Sequence, residues 1–296
     1  MAIDTQAAKL RAFRALRRSA ERVGFQVVPK TFYSPIPVLD ELPPDAWERR
    51  DPMRGISFDL DAQLAWIERE LGPAMSAFAP PERATRRADE YTLANDSYGR
   101  VGADILHGVV RALKPRRIVE LGSGQSTLIM AAAAALNAAE GSPTELRTYD
   151  PYPSVARAGM PGLAELAPVR AQDVPLEAFT ALEAGDVLFV DTTHTVKIGS
   201  DVNRIVLDVL PALAPGVIVH VHDIFLPYEY PRRFAEELGL HWAEQYLLQA
   251  FLACNRDFEV LAAVHALCQD RPEAMSRLAP TWQPGVSASA FWMRRA

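Results

Sequence analysis

Cysteine and histidine are scarce in this sequence: two cysteines, Cys254 and Cys268, and six histidines stand among 296 residues. Two cysteines outside any C-x-x-C pair cannot build a disulfide framework, so a reducing compartment is expected and both read as core fillers. No apolar run approaches the ~18 residues needed to cross a bilayer, and the richest, Met130 to Ala139, is short and mostly alanine. The N-terminus also lacks the order of a signal peptide, so the chain is expected to be cytoplasmic. Basic residues are outnumbered, 31 Lys and Arg against 37 Asp and Glu, and the net charge of -6 gives no global pull toward nucleic acid or anionic lipid. Repeats and low-complexity tracts are missing.

What is present suffices for a sizeable core: 49% of residues are apolar, and the length suits one large domain with an accessory segment. Residues 4–22 read as a helix, with Ala7, Leu10, Phe13, Leu16 and Ala20 on one stripe and five arginines largely elsewhere. Residues 28–52 are rich in proline and aromatics and read as an ordered connector. Helical patterns follow at 59–78 and 97–113. Residues 1–94 are therefore expected to form a mainly helical extension, a lid or a dimer contact in a homo-oligomer.

After Pro115, short apolar runs at 117–121, 146–150, 168–171, 186–191 and 216–221 alternate with helical patterns at 126–139, 176–182 and 201–213. Such alternation predicts an α/β domain over 95–296 with a Rossmann-like, doubly wound parallel sheet and right-handed crossovers. A long helical stretch at 231–253, a strand at 258–263 and a terminal strand near 288–293 complete the expectation.

At the end of the first core strand stands Glu120-Leu121-Gly122-Ser123-Gly124-Gln125-Ser126-Thr127, directly before a helical run. In an open parallel sheet, ligands collect outside the carboxyl ends of the strands, and a glycine turn lets backbone approach a molecule at a helix N-terminus. A tight strand-to-helix turn is the plain alternative. Glu120 is unsuited to a phosphate-binding turn, and Thr127 stands where the dinucleotide fingerprint needs its third glycine, so the turn suits a cofactor without pyrophosphate. Asp150 ends the second strand, where an ionised carboxylate can accept both hydroxyls of a ribose. Gln172 and Asp173, after the third strand, stand where an adenine edge would fall.

These residues resemble the class I S-adenosylmethionine-dependent methyltransferases. Tyr33-Ser34-Pro35-Ile36-Pro37, His222 to Pro227, Trp242 to Phe251 and Phe291-Trp292 resemble more narrowly a bacterial subgroup acting on small molecules or sugars. The fold resemblance covers residues 95 to 294, and the subgroup resemblance reaches back to residue 28. It implies a seven-stranded sheet with a reversed last strand, a methyl donor over Gly122 to Gly124, and a ribose on Asp150. Ser126 departs from the commonest third glycine of the family motif.

Adjacent strand ends in such a sheet lie side by side, so Asp191, His194, His222 and Asp223 should converge near the donor methyl. Two mechanisms fit. In one, His194 is a general base toward an acceptor hydroxyl, assisted by Asp191 and His222. In the other, Asp191, His222 and Asp223 hold a divalent metal that acidifies the hydroxyl. His220, deeper on the strand, reads as a core residue. Asn95 and Tyr98 form a polar aromatic cluster able to close over the cofactor, and 227–231 is a rigid aromatic loop suited to a sugar or an aromatic ring. A small-molecule or sugar acceptor is expected and a nucleic acid is not. An NAD(P)-dependent oxidoreductase and a non-catalytic cofactor-binding protein are the competing readings.

Overall fold

The computed structural model describes residues 2–87, 89–286 and 288–296, with side chains from residue 8 onward. Seven short runs pair into one sheet: β1 (Arg117–Leu121), β2 (Glu145–Tyr149), β3 (Leu163–Ala167), β4 (Val187–Val190), β5 (Ile218–Val221), β6 (Phe258–Ala263) and β7 (Phe291–Arg295). Their spatial order is β3-β2-β1-β4-β5-β7-β6. β1 to β5 run parallel, whereas β7 lies antiparallel to both β5 and β6, giving the reversed last strand. Every residue of β4 and β5 is buried because the central strands are covered on both faces, which is why these strands read as unbroken apolar runs.

The helices follow from the same pattern. α1 (Ala2–Glu21) is largely exposed, α2 begins at Leu60–Trp66 and its helical path continues to residue 76, α3 spans Arg100–Leu113, and α4 spans Gln125–Ala139. Asp59 caps α2 by accepting hydrogen bonds from the amides of Asp61 and Ala62 at 2.9 and 3.1 Å. α2 and the turns after it pack on α3 and β6, so this part of the extension is built into the sheet's flank. The proline-rich connector is irregular, as expected, and is pinned where Arg50 pairs with Tyr228 and the Asp51 amide donates to the Pro227 carbonyl at 2.7 Å.

Two expectations need correction, and one segment is new. β3 lies at Leu163–Ala167 and not at 168–171, because Pro168 ends the strand; the edge strand exposes Ala164 and Glu165, which hides it from a search for apolar runs. The stretch 231–253 is two helices, Arg232–Glu236 and Glu244–Leu252, parted at Gly239, whose φ is +63°. Two further helices, Val264–Asp270 and Pro272–Leu278, occupy the connection between β6 and β7.

The turn after β1 is the tightest point of the sheet. Gly122 has φ +85°, and a Cβ there would lie 1.8 Å from the Asp191 carbonyl oxygen. Positive φ alone costs a non-glycine residue about 1–3 kcal/mol, and the clash is with backbone. Gly122→Ala is therefore expected to lower unfolding free energy by at least about 3 kcal/mol in a denaturant titration, whereas Gly124→Ala, whose Cβ would meet nothing within 4 Å, stays within about 0.5 kcal/mol of the parent. Equal stability of the two variants would contradict this packing.

Candidate active site

The glycine turn is shaped from beneath by Glu120. Its fully buried carboxylate accepts hydrogen bonds from the hydroxyls of Ser126 and Thr127 at 2.8 Å each and of Thr148 at 2.7 Å. Burial pushes its pKa up to about 7, against the lowering effect of those three donors. Thr127 Oγ1 also accepts from the Gly124 amide at 3.0 Å. Glu120, Ser126 and Thr127 thus face one another below the turn and not outward to a ligand: the threonine in the third-glycine position is a strut between helix and strand.

Above the turn the groups are available. Asp150 Oδ2 accepts from the Ser123 amide at 2.8 Å and from the Ser123 hydroxyl at 2.6 Å, and Oδ1 accepts from the Tyr152 amide at 2.7 Å. This leaves acceptor capacity on a part-buried carboxylate. The space over Gly124 is open. Gln172 is part-buried at the short turn after β3, while Asp173 is exposed and paired with Arg170 at 2.7 Å. The Asn95 amide is spent locally: Nδ2 donates to the carbonyls of Thr92 and Tyr98, and Oδ1 accepts from the amides of Ser97 and Tyr98. Tyr98 is buried with its hydroxyl unpartnered, and its ring stacks on His222 at 4.7 Å.

At the next two strand ends the expected cluster does converge. His194, buried and held at φ 55°, places Nδ1 2.8 Å from Glu244 and Nε2 3.3 Å from Asp191 and 3.8 Å from Asp223. Burial opposes a charge on the ring, but its hydrogen bonds to Asp191 and Glu244 prevail and push its pKa up to about 10. Asp191 feels burial in the opposite sense, yet the His222 and His194 imidazoles hold its carboxyl at about 2. Both nitrogens of His194 are thus engaged by carboxylates, and this pairing favours the protonated ring over the free base expected from its position. His222 is buried with Nδ1 unpartnered, and its Nε2 lies 3.8 Å from Asp223. His220 lies in the core as expected: it stacks on Phe189 at 4.1 Å, and burial holds its pKa well below the usual histidine range. Asp223, at φ 53°, accepts from the Ser289 hydroxyl at 2.6 Å.

Asp191, His222 and Asp223 line one wall of an open cavity of about 1190 Å³ that also reaches Trp47, Tyr230 and Trp242. The metal expectation finds no support in this arrangement. Among the described residues no three His, Cys, Asp or Glu side chains are grouped to hold a metal ion, and Asp191 and Asp223 turn toward the His194 cation. Glu244 escaped the sequence reading, because an acidic residue opening a helix ordinarily reads as a solvated first turn. Its only signal was position, in the segment Trp242 to Phe251 that carried the subgroup resemblance.

Residues 119–224 match a family model described as a methyltransferase domain. The matched segment runs from β1 to the end of β5, so this part of the sheet is similar to a methyltransferase domain. A presumed methyltransferase from Thermobifida fusca YX is similar over 90% of this chain and 99% of its own, at 15% identity and a TM-score of 0.38. The CMeT domain of the citrinin polyketide synthase is similar over 65% of this chain and 50% of its own, at 15% identity and TM-score 0.35. The 16S rRNA (adenine(1408)-N(1))-methyltransferase from Catenulisporales acidiphilia aligns over 74% of this chain and 97% of its own, at 14% identity and TM-score 0.27. Likenesses this low carry no argument about the acceptor. A search of curated proteins gave no significant match. Among the described residues no helix is long and apolar enough to cross a membrane.

The His194 clamp has a pH signature. Folding raises its pKa from 6.5 to about 10, so its contribution to stability is complete below pH 6.5 and is lost as pH rises through 10. His194→Ala should abolish that alkaline decline and cost about 3–5 kcal/mol near neutral pH, since Glu244 is left buried without its cation. Melting temperature against pH for the two proteins reads this directly; parallel curves would contradict it.

Proposed function

We propose that the protein moves a methyl group from S-adenosylmethionine to a hydroxyl of a small molecule, a sugar or an aromatic compound. The supporting observation is the abutment of the glycine turn on the Asp191 backbone, which sets the donor-side turn directly against the wall that carries Asp191, His222 and Asp223.

The residues present fit the cofactor. Gly124 leaves space above the turn, the backbone at Ser123 and Gly124 borders it, and Asp150 offers a carboxylate for ribose hydroxyls. Gln172 stands next along the sheet edge, and the unpartnered Tyr98 hydroxyl faces Gly102, which lines the cavity. When bound, S-adenosylmethionine supplies a methyl group on a sulfonium that is displaced in line by the acceptor oxygen.

The chain's own groups then divide the work. His194, held cationic between Glu244 and Asp191, fixes the positions of the Asp191 and Asp223 carboxylates. Asp223, 3.8 Å from His222 Nε2, favours the imidazolium that forms when that ring takes the acceptor's proton. His222, which lines the cavity with its ring backed by Tyr98, accepts the hydroxyl proton as the oxygen is methylated. No divalent metal is required by this route. Residues 1–94 contribute a wall through Trp47, so the extension is part of the acceptor site.

Two variants separate donor binding from chemistry. Asp150→Ala is expected to weaken S-adenosylhomocysteine binding about 10- to 100-fold by calorimetry, the size of a charged hydrogen bond. His222→Ala should retain that binding but lower kcat about 10²- to 10⁴-fold across a panel of hydroxylated acceptors. Transfer undiminished in His222→Ala would remove the proposed base, and binding unchanged in Asp150→Ala would remove the ribose site.

A further inference from the structure

Resting on the methyl-transfer reading, the acceptor cavity carries information about what enters it. One wall is a ladder of rings leading away from the reaction centre. Trp242 packs on His194 at 4.3 Å between ring centres, Phe234 meets Trp242 edge to face at 4.9 Å, and the Arg233 guanidinium lies 5.7 Å over Phe234. Trp47 and Tyr230 line the same cavity.

The tyrosine and glutamate oxygens of this wall are already engaged. The Tyr228 hydroxyl binds Asp270. The Tyr230 hydroxyl accepts from the Gln245 amide at 3.0 Å, and Glu229 accepts from the Tyr230 amide at 2.8 Å and from the Tyr246 hydroxyl. A polyhydroxylated ligand lying on this wall would find few unpaired partners and would lose hydrogen bonds on leaving water. A flat apolar ring system loses none and gains the aromatic contacts.

The two ends differ in charge. Near His194 lie the carboxylates of Asp191 and Asp223. At the far end are Arg232 and Arg233. Arg232 is paired with Glu236 at 2.7 Å, but Arg233 is exposed and forms no ion pair among the described residues. An anionic substituent is repelled from the first end and has an unneutralised cation at the second.

We propose that the acceptor is an aromatic hydroxy compound carrying an anionic group remote from its hydroxyl: the ring system lies along Trp242 and Phe234, the hydroxyl points to His222, and the anion meets Arg233. Arg233 then determines specificity, while Trp242 is the platform.

Calorimetric titration with 6-hydroxy-2-naphthoate, its methyl ester and glucuronate tests this, each with and without saturating S-adenosylhomocysteine. The naphthoate is expected to bind at least about tenfold more tightly than the ester, within the range for a hydrogen-bonded charge, and more tightly than glucuronate. Arg233→Gln should erase the difference between acid and ester, whereas Arg232→Gln, which removes an already neutralised cation, should preserve it. An ester that binds as well as the acid, glucuronate that matches the naphthoate, or a preference for the acid surviving in Arg233→Gln would each overturn the proposal. Failure of S-adenosylhomocysteine itself to bind would count against the methyl-transfer reading alone, since the probes are also titrated without it.

Discussion

The site depends on a close approach of two backbones. Strand β1 ends in a turn that presses against the end of β4, with no room for a side chain between Gly122 and the Asp191 carbonyl. The Asp191 amide in turn donates to the Leu121 carbonyl at 2.9 Å, and the Gly122 amide to Tyr149 at 2.9 Å. Three neighbouring strand ends are thereby locked in register at the rim of the sheet. The turn and the carboxylate and imidazole cluster are held side by side.

Electrostatics complete what the backbone begins. A buried cation, His194, is secured by Glu244 on one nitrogen and draws Asp191 and Asp223 toward the other. Buried charges persist only when paired and hydrogen-bonded, and here the pairing fixes two carboxylates beside a third group, His222, whose Nδ1 stays unpartnered. The same logic operates beneath the turn, where Glu120 gathers three hydroxyls and fastens the start of α4 to β1 and β2. One carboxylate shapes the glycine turn and another, Glu244, fixes His194 beside the cavity wall. Neither reaches the cavity itself.

Much of this was legible in the sequence. Short apolar runs between helical patterns located β1, β2, β4, β5 and β6; β4 and β5 are the clearest, because strands buried on both faces have no polar side to disguise them. β3 was misplaced because an edge strand with exposed Ala164 and Glu165 carries no such signal. Motif and position assigned Asp150, Asp191, His194, His222 and Asp223 to one rim of the sheet, since strand ends in a parallel sheet must be neighbours. Their division of labour was not legible. Whether an imidazole is a base or a fixed cation depends on a partner 50 residues away, Glu244, and no local pattern announces that pairing. The inward turn of Glu120, Ser126 and Thr127 was hidden for a similar reason: spacing reports which residues share a turn but not which side of it they face.

A crystal structure with S-adenosylhomocysteine tests the central claim most directly, that the turn after β1 and the rim cluster form one donor and acceptor site. The account predicts ribose hydroxyls on Asp150 and a sulfur opening toward the wall of Asp191, His222 and Asp223. A nucleoside bound elsewhere, or a sulfur facing away from that wall, would contradict it.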